Sequence, residues 1–407
     1  MRSLGSIMEK NRGIGPGFDF LRLALALSVV FWHSRQVSYG REPVWLAVYL
    51  IVPAFFALSG FLVAGSMVRV KTVKVFLMLR ILRIVPALGV EITLSALILG
   101  PLVTALTLSS YFSDPLFVRY FTNVLGIIRY QLPGVFIDNP VSGIVNGQLW
   151  TVPSELHCYV VLAVLMVTRI AIKPWLMLGA FLGLATAESL TVLLPDHHYT
   201  MSVLNSHEVL ILSFLCGNVF YLWRDRIPWN RGLFVCSIAG YFVVGYLAPA
   251  LSFLVGVIAV CYFIVFLGMC QFPRVPVLMR GDYSYGIYLY GYPLQQAVSW
   301  AFPELREWYF NLLVAGPLAI AFSMLSWHSI EKPALGLKRF LVPRPAGPPH
   351  PASSLSGAVS PASETRLPSD EVRPAQVCGT APTAAPNHTS VASAHALPSP
   401  SSQPAAL

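Results

Sequence analysis

Residues 44 to 68, centred on Phe55-Phe56-Ala57-Leu58-Ser59-Gly60-Phe61-Leu62, run without a single Asp, Glu, Lys or Arg. A helix rises about 1.5 Å per residue, so roughly 20 apolar residues cross a hydrocarbon core about 30 Å thick. This stretch is long enough to do so. Comparable runs recur at 18–38, 86–108, 149–168, 174–194, 208–223, 232–248, 250–270, 283–302 and 309–328, which predicts an all-α, polytopic integral membrane protein with about ten transmembrane helices. Composition agrees: of 407 residues 56% are hydrophobic and 11% charged, with mean hydropathy +0.66. Too few charges remain to coat a water-soluble globule of this size.

The cations report orientation. If the N-terminus is cytoplasmic, the outer loops hold only Arg35, Arg41, Arg119, Arg129 and Arg306, and the other Lys and Arg of residues 1–340 fall in helix 1 or inside. The positive-inside rule therefore places both termini in the cytoplasm. The net charge of +9 is spread over short loops rather than gathered on one soluble face, which argues against nucleic acid. The six cysteines show no CxxC spacing, so neither a disulfide framework nor a metal site is expected. Asp19 and Arg22 interrupt the first apolar run, and no small-x-small cleavage site follows, so it reads as an uncleaved first helix.

The chain divides into a cytoplasmic N-terminal segment (1–17), a transmembrane domain (18–340) and a Pro/Ala/Ser-rich tail (341–407) that reads as disordered and cytoplasmic. Segment 69–85 is basic and short, and predicts a separate helix lying on the cytoplasmic surface before the span at 86–108. Segment 109–148 forms a long outer loop. No internal repeat of the transporter kind is visible.

Ionisable groups inside membrane helices are costly and point to function unless they snorkel to water. Arg22 and His33 are eleven residues apart, close to three full turns, so both face one way about 16 Å apart along the axis. Read alone, Arg22 is equally a snorkelling cation or a partner for Asp19, and His33 an interfacial histidine. Glu155 sits one turn into the helix starting near Trp150, at the depth expected for His33, and the two form a candidate carboxylate-imidazole pair. Its plain alternative is an acid favoured by the helix macrodipole. Arg80 and Arg83 share a face, where two guanidinium forks suit phosphates or lipid headgroups. Ser59-Gly60-Phe61 reads as small-residue packing, Tyr285 as an interface anchor, and Glu331-Lys332-Pro333 as an exposed charge pair.

Taken together, Phe18-Asp19-Phe20-Leu21-Arg22 with His33, the run around Ser59-Gly60, Arg80 and Arg83 before Pro86, Trp150 with Glu155, Ser284-Tyr285-Gly286-Ile287-Tyr288-Leu289, and Ile330-Glu331-Lys332-Pro333 resemble the membrane acyltransferase family 3. The resemblance covers residues 17–340. It implies transfer of an acyl group, usually acetyl from cytoplasmic acetyl-CoA, to a hydroxyl of a polysaccharide or lipid-linked sugar in a bacterial inner membrane. By the same resemblance Arg22 and His33 are the activity motif, Arg80 and Arg83 (with Arg22) hold the CoA phosphates, Glu155 is an acid near the site, and Ser59, Trp150 and Tyr285 line the substrate path. His33, supported by Glu155, is then the expected base. Two departures stand out: Leu289-Tyr290-Gly291-Tyr292-Pro293 lacks a Trp-His found in many relatives, and Val152-Pro153-Ser154 replaces a Ser-Leu-Ser-Val-like stretch. The low-complexity tail suggests a stand-alone member without an appended hydrolase-like domain. The competing reading is a transporter or flippase of a glycan or its lipid-linked precursor, since buried Arg, His and Glu also build translocation paths.

Overall fold

The computed structural model describes residues 2–11, 13–40, 48–70, 72–191, 206–273, 276 and 280–341. Arg12, Arg41, Lys71, Arg274, Cys378 and the predicted tail beyond Leu341 lie outside the described residues. The described residues are helical, without a named strand. The rods that position the site are α1 (Phe18–Tyr39), α2 (Val48–Val70), α3 (Val73–Val103), α4 (Gly147–Val167), α5 (Pro174–Thr191), α6 (His207–Leu222), α7 (Arg231–Leu247), α8 (Val255–Gly268), α9 (Ser284–Ala301) and α10 (Trp308–Leu341). Among the described residues four of these, α2, α3, α4 and α10, are long and apolar enough to cross a membrane. With this apolar helical make-up, the chain is an integral membrane protein.

The predicted break between a surface helix at 69–85 and a span at 86–108 is not made. Val73–Val103 is a single rod of 31 residues. At 1.5 Å per residue that is about 46 Å, longer than the ~30 Å core, so the rod tilts or carries its basic first turns beyond the hydrocarbon. Pro86 removes one backbone donor without ending the helix. Arg80 and Arg83 do not end it either, because both line a cavity inside the bundle. Near its far end α3 contains a π-turn, Ser95–Leu99.

The outer segment after α3 is ordered. Thr107 and Asp114 cap two short helices, Leu108–Ser113 and Pro115–Tyr120, by accepting from the Ser110 and Leu116 amides at 3.3 and 2.8 Å. The returning chain is sewn into the bundle: Asn139 donates to the Gln296 side chain at 2.8 Å, and Asn146 donates to the Leu289 carbonyl at 3.0 Å and to Glu91 at 3.1 Å. Those bonds fix where α4 starts.

The α2–α6 crossing has backbone touching backbone. A Cβ on Gly60 would stand 1.9 Å from the Phe214 carbonyl oxygen, and one on Gly217 would stand 2.2 Å from that of Ala57. Small residues permit this approach where lipid provides no hydrophobic drive between helices. The small-residue reading of Ser59-Gly60-Phe61 therefore holds for Gly60. Glu331 departs from expectation: α10 continues past residue 328 through a π-turn, Trp327–Glu331, which turns Glu331 inward to 2% exposure while Lys332 stays exposed. The chain there is not a solvent-facing charge pair.

Candidate active site

A cavity of about 510 Å³ opens between α1, α2, α3, α4 and α9. Arg22, His33, Ser59, Arg80, Arg83, Trp150, Glu155 and Tyr285 all line it. Residues as distant in sequence as 22 and 285 thus share one wall.

Cations mark one end. Arg22 donates to Asp282 at 2.9 Å and lies only 3.9 Å from Asp19, so its main partner is on α9's approach rather than on its own helix. Arg83 donates to the same Asp282 oxygen at 2.8 Å and to Glu331 at 3.1 Å, and its guanidinium lies 5.3 Å from the Tyr285 ring centre. Ser284 and Ser326 hydroxyls donate to the two carboxylates at 2.7 and 3.2 Å. Burial pushes the Asp282 carboxyl up, but the Arg83 and Arg22 charges outweigh it and hold it below the usual aspartate range. Arg80 differs from Arg83. Its guanidinium lies 5.8 and 5.9 Å from the Phe76 and Tyr159 rings, and its buried Nε has no hydrogen-bond partner. The expected pair of equivalent forks is therefore one arginine committed to two carboxylates and one still able to take a ligand. Arg69, a cation not singled out by the sequence, also lines this cavity.

The other end belongs to His33. Its Nδ1 lies 2.8 Å from Gln36 Oε1, one turn on. An amide oxygen only accepts, so Nδ1 carries the proton and Nε2 keeps its lone pair. Nε2 makes no hydrogen bond among the described residues. The expected His33–Glu155 contact is not made, because Glu155 Oε1 instead accepts from the Tyr159 hydroxyl at 2.6 Å, one turn along α4. Both groups line the cavity, with Gln36 rather than Glu155 orienting the imidazole. Tyr292, at the position of the missing histidine motif, meets the His33 ring edge-on with centroids 5.1 Å apart.

Around these stand groups that sequence reading missed. Asp282 and Gln148 are polar residues with no periodic signal of their own. Tyr285, read as an interface anchor, instead donates to the Ile84 carbonyl at 3.2 Å, two residues before Pro86. Glu91, 1% exposed beside the π-turn of α3, accepts from Ser95 and Asn146 at 2.8 and 3.1 Å, tying α3 to the start of α4. A carboxyl inside an apolar run was the available signal for it. Trp150 packs edge-on to His207, 6.3 Å between centres, and His157 is exposed.

An imidazole, a half-buried carboxylate and several arginines lining one cavity suit transfer between an anionic donor and a hydroxyl. Residues 16–328 match the sequence profile of a family described as an acyltransferase domain. The chain belongs to the acyltransferase 3 family. It is similar to nodulation protein 10 of Rhizobium leguminosarum bv. viciae, 27% identical over 383 residues that cover 84% of this chain and 99% of that protein. It is similar also to an O-acetyl transferase of Shigella phage Sf6, 26% identical over 329 residues that cover 77% and 94%. No solved structure matches the chain. This acyltransferase thus has its family match over the same rods that surround the cavity.

Proposed function

We propose that this acyltransferase moves an acetyl group from cytoplasmic acetyl-CoA to a hydroxyl of a glycan or lipid-linked sugar, through ten membrane crossings of a bacterial inner membrane with both termini inside. The observation that carries the reading is a single cavity lined both by Arg80, whose buried Nε has no partner, and by His33, whose Nε2 keeps a lone pair, while Arg22 and His33 on its wall stand about 16 Å apart along α1 by helical rise. Arg80, with Arg69 on the same cavity lining, takes the donor's phosphates, because Arg83 and Arg22 already hold Asp282. The thioester reaches the far end. There His33 Nε2 removes the proton from the acceptor hydroxyl as its oxygen adds to the acyl carbon, and Gln36 steadies the imidazolium that results. Glu155, held by the Tyr159 hydroxyl, lines the same cavity, and Ser59, Trp150 and Tyr285 shape the walls. The acetyl group is argued from the printed name of the phage relative, and the glycan from the family resemblance.

The test is label transfer. Membranes holding the native chain, given radiolabelled acetyl-CoA, should place label in an envelope glycan fraction. His33→Ala at equal abundance should lose it by roughly 10²- to 10⁴-fold. Equal incorporation by both would remove His33 from the chemistry, and no incorporation from any acyl-CoA would remove the donor class.

A further inference from the structure

Gln148 lines the cavity that His33 also lines and is 1% exposed, yet neither its Oε1 nor its Nε2 has a hydrogen-bond partner. A buried amide with both arms unmade is costly, and in a residue that lines a cavity the missing partner is a candidate ligand group. Its position is fixed from both sides. The Gln148 carbonyl accepts from the Tyr288 hydroxyl, which also bonds Thr151 at 2.6 Å. The preceding Gly147 presses on Tyr292, where a Cβ would stand 2.8 Å from the ring, and that same ring meets the His33 imidazole. Gln148 thus follows directly on a residue packed against the ring that His33 meets, and Gln148 and His33 both line the one cavity.

We infer that the Gln148 side-chain amide is a catalytic hydrogen-bond donor that holds the acyl oxygen of the tetrahedral intermediate. This rests on the acyl-transfer reading above. The acceptor oxygen forms a bond to the thioester carbon while its proton passes to His33 Nε2. The carbonyl π pair moves onto the acyl oxygen, which accepts from Gln148 Nε2–H. Collapse re-forms the carbonyl, breaks the carbon–sulfur bond and returns the proton from the imidazolium to the leaving thiolate, giving ester and free CoA. A donor placed before the reaction stabilises the charge that develops and needs no reorganisation when it appears. Glu91, Asn146 and Tyr120 also carry unpartnered buried atoms, but none of them lines the cavity.

Two substitutions separate donation from shape. Gln148→Met keeps length and removes both arms; Gln148→Glu keeps length and an oxygen but replaces the donor with a carboxylate. Both should lower kcat by roughly 10²- to 10³-fold, with the KM for acetyl-CoA within about threefold of native, because the bond is made to the intermediate. Monodisperse elution with a native thermal midpoint identifies the folded preparations; if one variant fails that control, the other alone decides. Native kcat in Gln148→Met, or in Gln148→Glu, overturns the donor role while leaving the acyltransferase reading intact. A native chain that transfers no acyl group overturns both.

Discussion

At its cationic end the cavity wall is a closed ionic circuit: Asp282 holds Arg22 and Arg83, Glu331 holds Arg83 again, and two serines hold the carboxylates. Around His33 the imidazole has one hydrogen-bond partner, and the side chain of Gln148, which lines the same cavity, has none. Charges removed from water persist only when paired, so the first end shapes the fold and leaves Arg80 and Arg69 to meet a ligand. The second end leaves its bonds unmade. Damage to the first should therefore appear as lost protein, and damage to the second as lost rate in protein that is still folded.

The contrast breaks most sharply at Arg83. Arg83→Met leaves Glu331, at 2% exposure, without its cation and strips Asp282 of one of two partners. A buried charge orphaned in this way costs about 3–5 kcal/mol, read as an earlier midpoint of SDS-driven unfolding in mixed micelles. Adding Glu331→Leu should restore part of that loss, since an apolar replacement of both partners leaves no orphan. His33→Ala should leave the midpoint unmoved. Equal losses of stability in Arg83→Met and His33→Ala would erase the distinction between the two ends.

Glu331→Gln is the milder version. Arg83 keeps Asp282 and Glu331 keeps its volume, so the expected loss is about 1–3 kcal/mol by the same measurement. At the other end Gln36→Leu removes the acceptor that fixes the His33 tautomer. It should lower kcat roughly 10- to 100-fold with an unchanged midpoint, because a misaimed base loses rate without losing packing. A native kcat in Gln36→Leu would mean that the imidazole is oriented by its edge-on contact with Tyr292 alone.

Much of the fold is written in apolar run length, and the rest is missing for identifiable reasons. The run around Gly60 is helical and carries no charge, and helices stand at the other predicted runs too. The error at α3 arose because Arg80 and Arg83 look like the end of a span when read along the chain. Only tertiary structure shows that they face a cavity. Glu331 misled in the opposite direction: it follows an apolar run beside a lysine and a proline, and the π-turn that buries it has no sequence signature. The shared cavity was legible as a set of residues, since Arg22, His33, Arg80, Arg83 and Glu155 all carry chemistry unusual in lipid. Their partners were not. Asp282 is 260 residues from Arg22, and helical spacing says nothing about pairs across such separations.

The smallest effect concerns acid. Asp282 sits in the turn before α9, and the Arg83 and Arg22 charges outweigh burial to hold its carboxyl below the ordinary value near 3.9. For a carboxylate depressed by folding, the linked stability is fully present above the ordinary value and drains away as pH falls through the lowered one. The unfolding midpoint should thus be flat from about pH 7 to about pH 5 as far as this group is concerned, then decline toward about pH 3. Asp282→Asn should begin lower at neutral pH and decline less over the acid range, because its side chain has no proton to gain. The opposite crossing, with Asp282→Asn the more acid-sensitive chain, would mean that Glu331 alone carries the Arg83 charge and that the circuit is really a pair.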